Sequence, residues 1–158
     1  KFLAGCSGMV LDYAAREPFW RRNLNYNHGT GHGVGYLGNI HEAPIGFRWK
    51  ATRDAMCEIE PGMVITNEPG IYIEGSHGIR IENELLVRAG EKNEYGQFLY
   101  FEPLTFVPID LDALRPELMT EEEKQLLNAY HQSVYEKISP YLEAEEKEWL
   151  KEYTRPVK

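Results

Sequence analysis

The chain has 158 residues, 42% of them hydrophobic and 27% charged, with a net charge of −8 at pH 7. That length suits one domain with a core of its own. The charge excludes a nucleic-acid role, because phosphate binding needs a clustered basic surface. Residues 1–110 hold ten Lys/Arg against fourteen Asp/Glu and residues 111–158 hold seven against eleven, so neither part supplies one. No apolar run approaches the ~18–20 residues of a membrane span, and no membrane partner is expected. Cys6 and Cys57 form no CxxC pair, and two cysteines make no disulfide framework, which points to the cytoplasm. The apolar stretch in KFLAGCSGMV is too short for a signal peptide, and the missing initiator Met fits a chain cut from something longer.

Residues 8–22 pattern as a helix, with Met9, Tyr13 and Arg16 on one face, Ser7 as its N-cap and Pro18 limiting it near Glu17. Residues 28–39 carry five glycines, which forbid a stable helix and favour a loop or bulged strand. Glu60-Pro61-Gly62-Met63 reads as a tight turn feeding the β-branched strand Val64-Ile65-Thr66, which ends at Pro69-Gly70. From Ile79 to Arg88 the residues alternate: Ile79, Ile81, Leu85 and Val87 face one way, Arg80, Glu82 and Glu84 the other. Residues 98–109 form a further strand, placed at a sheet edge by Pro103 and Pro108.

The period then changes. Thr120 caps a helix with Glu123 completing a capping box, and Leu126, Leu127, Tyr130, Val134 and Ile138 form its apolar stripe, expected to be buried. A last helix runs from about Leu142 to Tyr153, after Pro140.

Three short segments carry the chemistry. HGTGHGVGYLGNIHEAP holds His28, His32 and His41, three of the chain's five histidines within fourteen residues. Any one alone reads as a solvent-exposed loop histidine, but glycines that bring the backbone close let several imidazoles reach one crowded pocket. VITNEPGIY holds Glu68, aimed by the stiff Pro69-Gly70 turn. HGIRIENELLV holds Arg80 and Glu82, which in isolation read as a solvated strand face. Together, one His and two Glu are the ligand types that hold hard or borderline divalent metals. Two formal motifs fail on context. Gly33, Gly35 and Gly38 match GxGxxG, but no helix opens there, and His41-Glu42 lacks the second His of HExxH, with Pro44 breaking the required helix. Phe47, Trp49, Tyr100 and Phe101 are candidates for lining a pocket, although core packing is the commoner use of such residues.

The order His, then Glu before Pro-Gly, then Glu within IRIEN resembles the pita-bread metallopeptidases, and among them the Xaa-Pro aminopeptidases. The resemblance extends through FEPLTFVPID and the acidic tail. It implies an α+β fold: the C-terminal half of a pita-bread catalytic domain over residues 1–110 and a helical C-terminal extension over 111–158. It also implies His32, Glu68 and Glu82 as metal ligands, with Glu68 the proton shuttle and Glu82 bridging two metals. His28 and His41 then line the substrate pocket, with His41 at the scissile peptide, while Tyr72 and Arg80 support the carboxylates and substrate. The cofactor implied is a pair of divalent ions, manganese first and zinc or cobalt as alternatives. The substrate is a peptide with proline at its second position, and the full-length enzyme is a homodimer.

The family's two metal-binding Asp lie upstream of the His loop, and only Asp12 precedes His32 here. The resemblance therefore implies a C-terminal portion that lacks half the site, binds one metal or none, and is inactive alone. Two rivals stand beside the aminopeptidase: a prolidase acting on Xaa-Pro dipeptides and a non-catalytic pita-bread scaffold. FEPLTFVPID and the long helical extension favour the aminopeptidase over the prolidase, and the intact ligand set counts against the scaffold.

Overall fold

The computed structural model describes residues 1–158 and separates into two compact units, Lys1–Thr105 and Phe106–Lys158. The first is built on a six-stranded antiparallel sheet of order β1-β8-β7-β4-β2-β3. Its strands are β1 (Phe2–Leu3), β2 (Gly31–Gly33), β3 (Glu42–Phe47), β4 (Val64–Asn67), β7 (Asn83–Asn93) and β8 (Gly96–Pro103). A separate two-stranded ribbon joins β5 (Gly70–Ile73) to β6 (His77–Arg80). Phe2, Ile45, Phe47, Ile59, Ile65, Val87 and Leu99 form the core. Phe101 packs on Phe2 and Phe47 at ring-centroid separations of 4.9 and 5.8 Å. Phe47 and Phe101 are thus core residues, whereas Trp49 and Tyr100 remain exposed.

Helix α1 (Gly8–Trp20) runs past the point where Pro18 was expected to end it. Pro18 lies in the last turn, where its missing N–H leaves only the Ala14 carbonyl without its helical donor. The buried face is Gly8, Asp12 and Arg16, one residue every four, and Tyr13 is 56% exposed. Arg16 is therefore an interior residue whose stripe excludes Tyr13, and the reason is its partner four residues back, Asp12.

The glycine-rich segment forms β2, bulged between His32 and Gly33 and held between β3 and β4. A Cβ on Gly31 would sit 1.8 Å from the Thr66 carbonyl oxygen, and one on Gly33 would sit 2.3 Å from that of Glu42. Strands approach that closely only without side chains, and this seats the intervening His32 between β3 and β4.

The expected single strand from Ile79 to Arg88 is two strands. β6 pairs with β5, and β7 pairs with β4 and β8, with Ile81 and Glu82 linking them. Ile79 and Ile81 are consequently 54% and 44% exposed, because the ribbon carrying them leaves the sheet that buries Val87. Strand β8 lies one place in from the edge, but β1 covers only Phe98 and Leu99, so most of its outer side is an edge.

In the second unit, Thr120 and Glu123 form the expected capping box at the start of α2 (Glu121–Ile138). Helix α3 (Ala144–Tyr153) starts from a second box formed by Glu143 and Glu146. Along α2 the buried side chains are Leu127, His131 and Val134, while Tyr130 and Ile138 are partly buried and Leu126 is 65% exposed. His131 replaces Leu126 in the stripe because its Nε2 accepts the Ile109 backbone N–H at 3.0 Å. No helix is long and apolar enough to cross a membrane.

Candidate metallopeptidase site

The end of β4 determines where Glu68 sits. Register places Thr66 opposite Glu84 and Asn67 opposite Asn83, so the next positions in line are Glu68 and Glu82. Pro69 cannot donate to a ladder, and the chain turns away there. The Glu68 N–H instead donates to the Thr30 carbonyl at 2.7 Å, leaving a carboxylate that is almost wholly buried.

Across the sheet, His32 lies beside it. The Thr66 hydroxyl accepts the His32 backbone N–H at 3.0 Å and donates to Glu68 Oε1 at 2.9 Å, so one side chain locates both groups. His32 Nδ1 donates to the Gly33 carbonyl at 2.9 Å, which turns Nε2 toward Glu68 Oε1 at 3.1 Å. Both of these atoms are acceptors unless a cation lies on or between them, either a proton or a metal. With metal–ligand bonds near 2.1 Å, two neighbouring ligands of one ion lie about 3.0–3.4 Å apart. The 3.1 Å spacing is within that range, and the carbonyl bond on Nδ1 is the kind of outer partner that a metal-binding histidine characteristically has.

Glu82 reaches this pair through Arg80. The guanidinium lies 3.6 Å from Glu68 Oε2 and 3.9 Å from Glu82 Oε2, so its single positive charge is shared between the two carboxylates. No three His, Cys, Asp or Glu side chains surround a single ion position. Around this centre, the His41 ring lies 4.3 Å from that of His32, and Arg80 lies 5.7 Å from the Tyr72 ring. The Tyr72 ring is in turn 5.6 Å from His28. The structure thus brings His28, His32, His41, Glu68, Tyr72, Arg80 and Glu82 into one connected cluster, although they come from three separate segments of the chain.

Sequence reasoning missed what holds the cluster. Asp12 and Arg16 form a fully buried ion pair at 2.6 Å. Arg16 also donates to the carbonyls of Tyr26 and His28, each at 2.7 Å, and lies 3.9 Å over the Tyr26 ring. The Tyr26 hydroxyl bonds to the Thr30 hydroxyl, which donates to Asp12. Since the Thr30 carbonyl receives the Glu68 N–H, this one network fixes both the His28 loop and the turn at Glu68. Both carboxylate oxygens of Asp12 are engaged within this network, Oδ2 by Arg16 and Oδ1 by Thr30. The available signal was the i, i+4 spacing of Asp12 and Arg16, which on a helix usually means a surface pair.

The family model of metallopeptidase family M24 matches residues 2–89, and the model of the C-terminal region of peptidase M24 matches residues 97–157. The chain belongs to metallopeptidase family M24. It is 44% identical over 164 residues to a probable Xaa-Pro aminopeptidase P of Talaromyces marneffei, covering 99% of this chain and 24% of that one. It is also 44% identical over 162 residues to aminopeptidase P2 of Arabidopsis thaliana, covering 99% and 22%. Among solved structures it matches the X-prolyl aminopeptidase of Caenorhabditis elegans with a TM-score of 0.89 and 36% identity, covering 99% of this chain and 26% of that one. That protein is described as a cytosolic enzyme with a di-nuclear active site. The fold of this M24 chain is accordingly part of the pita-bread catalytic fold, and the chain spans about a quarter of the length of the curated relatives it matches.

Proposed function

We propose that this chain is the C-terminal part of the catalytic region of a cytoplasmic dinuclear Xaa-Pro aminopeptidase, which removes the N-terminal residue preceding a proline. The observation that carries the reading is the confrontation of His32 Nε2 and Glu68 Oε1, held at metal-ligand spacing by Thr66. Identity of 44% across the whole chain, tail included, supports the aminopeptidase over a dipeptidase or a scaffold.

In this reading His32, Glu68 and Glu82 would hold divalent metal, manganese above zinc or cobalt. Bound metal supplies Lewis acidity at the scissile carbonyl and an activated water. The protein residues then divide the remaining work. Glu68 carries the proton from the attacking water to the leaving amine, aided by its seclusion from bulk solvent. His41, beside His32, donates to the oxygen on which negative charge develops. His28 and Tyr72 bracket the substrate chain, and Arg80 holds both carboxylates at a fixed separation. Two aspartates from the preceding part of a full-length protein complete the ligand set, and the assembled enzyme is a homodimer.

The test is hydrolysis of an Xaa-Pro-Xaa peptide by the full-length protein in manganese. Cleavage that needs proline at the second position and is lost in His32→Ala and Glu68→Gln supports the reading. Turnover unchanged in either variant overturns it.

A further inference from the structure

A second feature shares His28 with the candidate site. Beside it lies a cleft of about 200 Å³ lined by Asn27, His28, Gly29, Arg48, Trp49 and Lys50. Arg48 is half-buried, and its guanidinium lies so close to Gly29 that a Cβ there would sit 2.5 Å from Arg48 Nη1. Neither Arg48 nor Lys50 forms an ion pair, whereas Arg16, the remaining cation at the cleft, is neutralised by Asp12. The Lys50 ammonium lies 5.0 Å over the Trp49 ring. In a chain of net charge −8, two adjacent cations without a carboxylate partner, one of them withdrawn from water, form a local field of the wrong sign for the rest of the surface.

We propose that this cleft is a carboxylate subsite: Arg48 and Lys50 bind a carboxylate of the peptide substrate, on the C-terminal side of the scissile bond. The inference rests on the aminopeptidase reading for its direction. Such a substrate has a single residue and its ammonium group on the N-terminal side, and two cations repel that end. The C-terminal side always carries a carboxylate, the terminal one, and can add an acidic side chain, and the flat guanidinium fork of Arg48 suits either. Trp49 provides an apolar wall for the neighbouring methylenes. The consequence is selectivity for short or acidic peptides, with the cleft drawing the chain past His28.

The test is an NMR titration of the 158-residue chain with four peptides: Ala-Pro-Glu and Ala-Pro-Gln, each with a free and an amidated C-terminus. The Trp49 indole and the Gly29 amide report occupancy of the cleft. A peptide that presents the recognised carboxylate is expected to bind about tenfold more tightly than one that does not, the effect of one charge-assisted contact. Comparing the four distinguishes terminal from side-chain recognition. Arg48→Met and Lys50→Met abolish the preference, and Arg48→Lys retains part of it; thermal melts verify that each variant is folded, and Lys50→Met reports even if Arg48→Met is not. Equal affinities for all four peptides, no binding by any of them, or a preference that survives both methionine variants overturns the proposal. Ala-Ala-Glu separates it from the wider reading: an Arg48-dependent carboxylate preference that ignores proline sustains the subsite and counts against Xaa-Pro specificity.

Discussion

His32 Nε2 and Glu68 Oε1 face each other at 3.1 Å although thirty-six positions separate them in sequence, and the Thr66 hydroxyl bonds to both residues. The strand pairing β2–β4 makes this possible, and the absence of a side chain at Gly31 lets it happen at such short range. The centre of the site is therefore a property of the sheet rather than of a mobile loop. Groups set on strands hold their geometry more closely than groups set on loops.

Thr66→Val tests that statement. Valine keeps the shape but removes the hydroxyl, so the partly buried His32 N–H loses its acceptor and Glu68 loses a donor. The expected loss of stability is about 1–3 kcal/mol by urea denaturation, with weaker manganese binding alongside it. A variant as stable as the parent contradicts the role given to Thr66.

Arg16 gives a larger effect. Arg16→Met leaves Asp12 buried and unpaired and frees the Tyr26 and His28 carbonyls. Breaking a buried pair from one side costs about 3–5 kcal/mol, and the double variant Asp12→Leu/Arg16→Met should cost less than the sum of the two single changes. Urea unfolding of the three variants measures this. Additive losses would show that the two residues act independently.

His131 sets a pH dependence in the second unit. Burial lowers its pKa below the ordinary value of 6.5, favouring the neutral ring that accepts the Ile109 N–H. The unfolded chain then binds the proton more readily than the folded one, so stability is fully present above pH 6.5 and declines as the pH falls below it. Melting temperatures recorded from pH 7.5 to 5 should show this decline in the parent and a shallower one in His131→Gln. Identical slopes would remove His131 as the cause.

Much of the site was legible in sequence because its residues are framed by backbone chemistry that has local signatures. Glycines flank His32, Pro69-Gly70 follows Glu68, and a capping box starts α2. The rest depended on contacts between distant segments. The alternation from Ile79 to Arg88 is a real period-two pattern, but it does not reveal that the chain changes sheets at Ile81–Glu82. The buried Asp12–Arg16 pair has the same spacing as a surface pair on a helix. Only the carbonyls of Tyr26 and His28, brought over it by the turn after α1, distinguish the two. His131 likewise reads as polar until Ile109 supplies its hydrogen bond.

The central claim is that His32 and Glu68 are ligands of a divalent metal. Calorimetric titration of manganese into the 158-residue chain tests it most directly, without requiring catalysis. With three of the proposed ligands present and Arg80 competing for two of them, a single weak site is predicted, lost in His32→Ala and in Glu68→Gln. No binding, or binding that survives His32→Ala, would contradict the account.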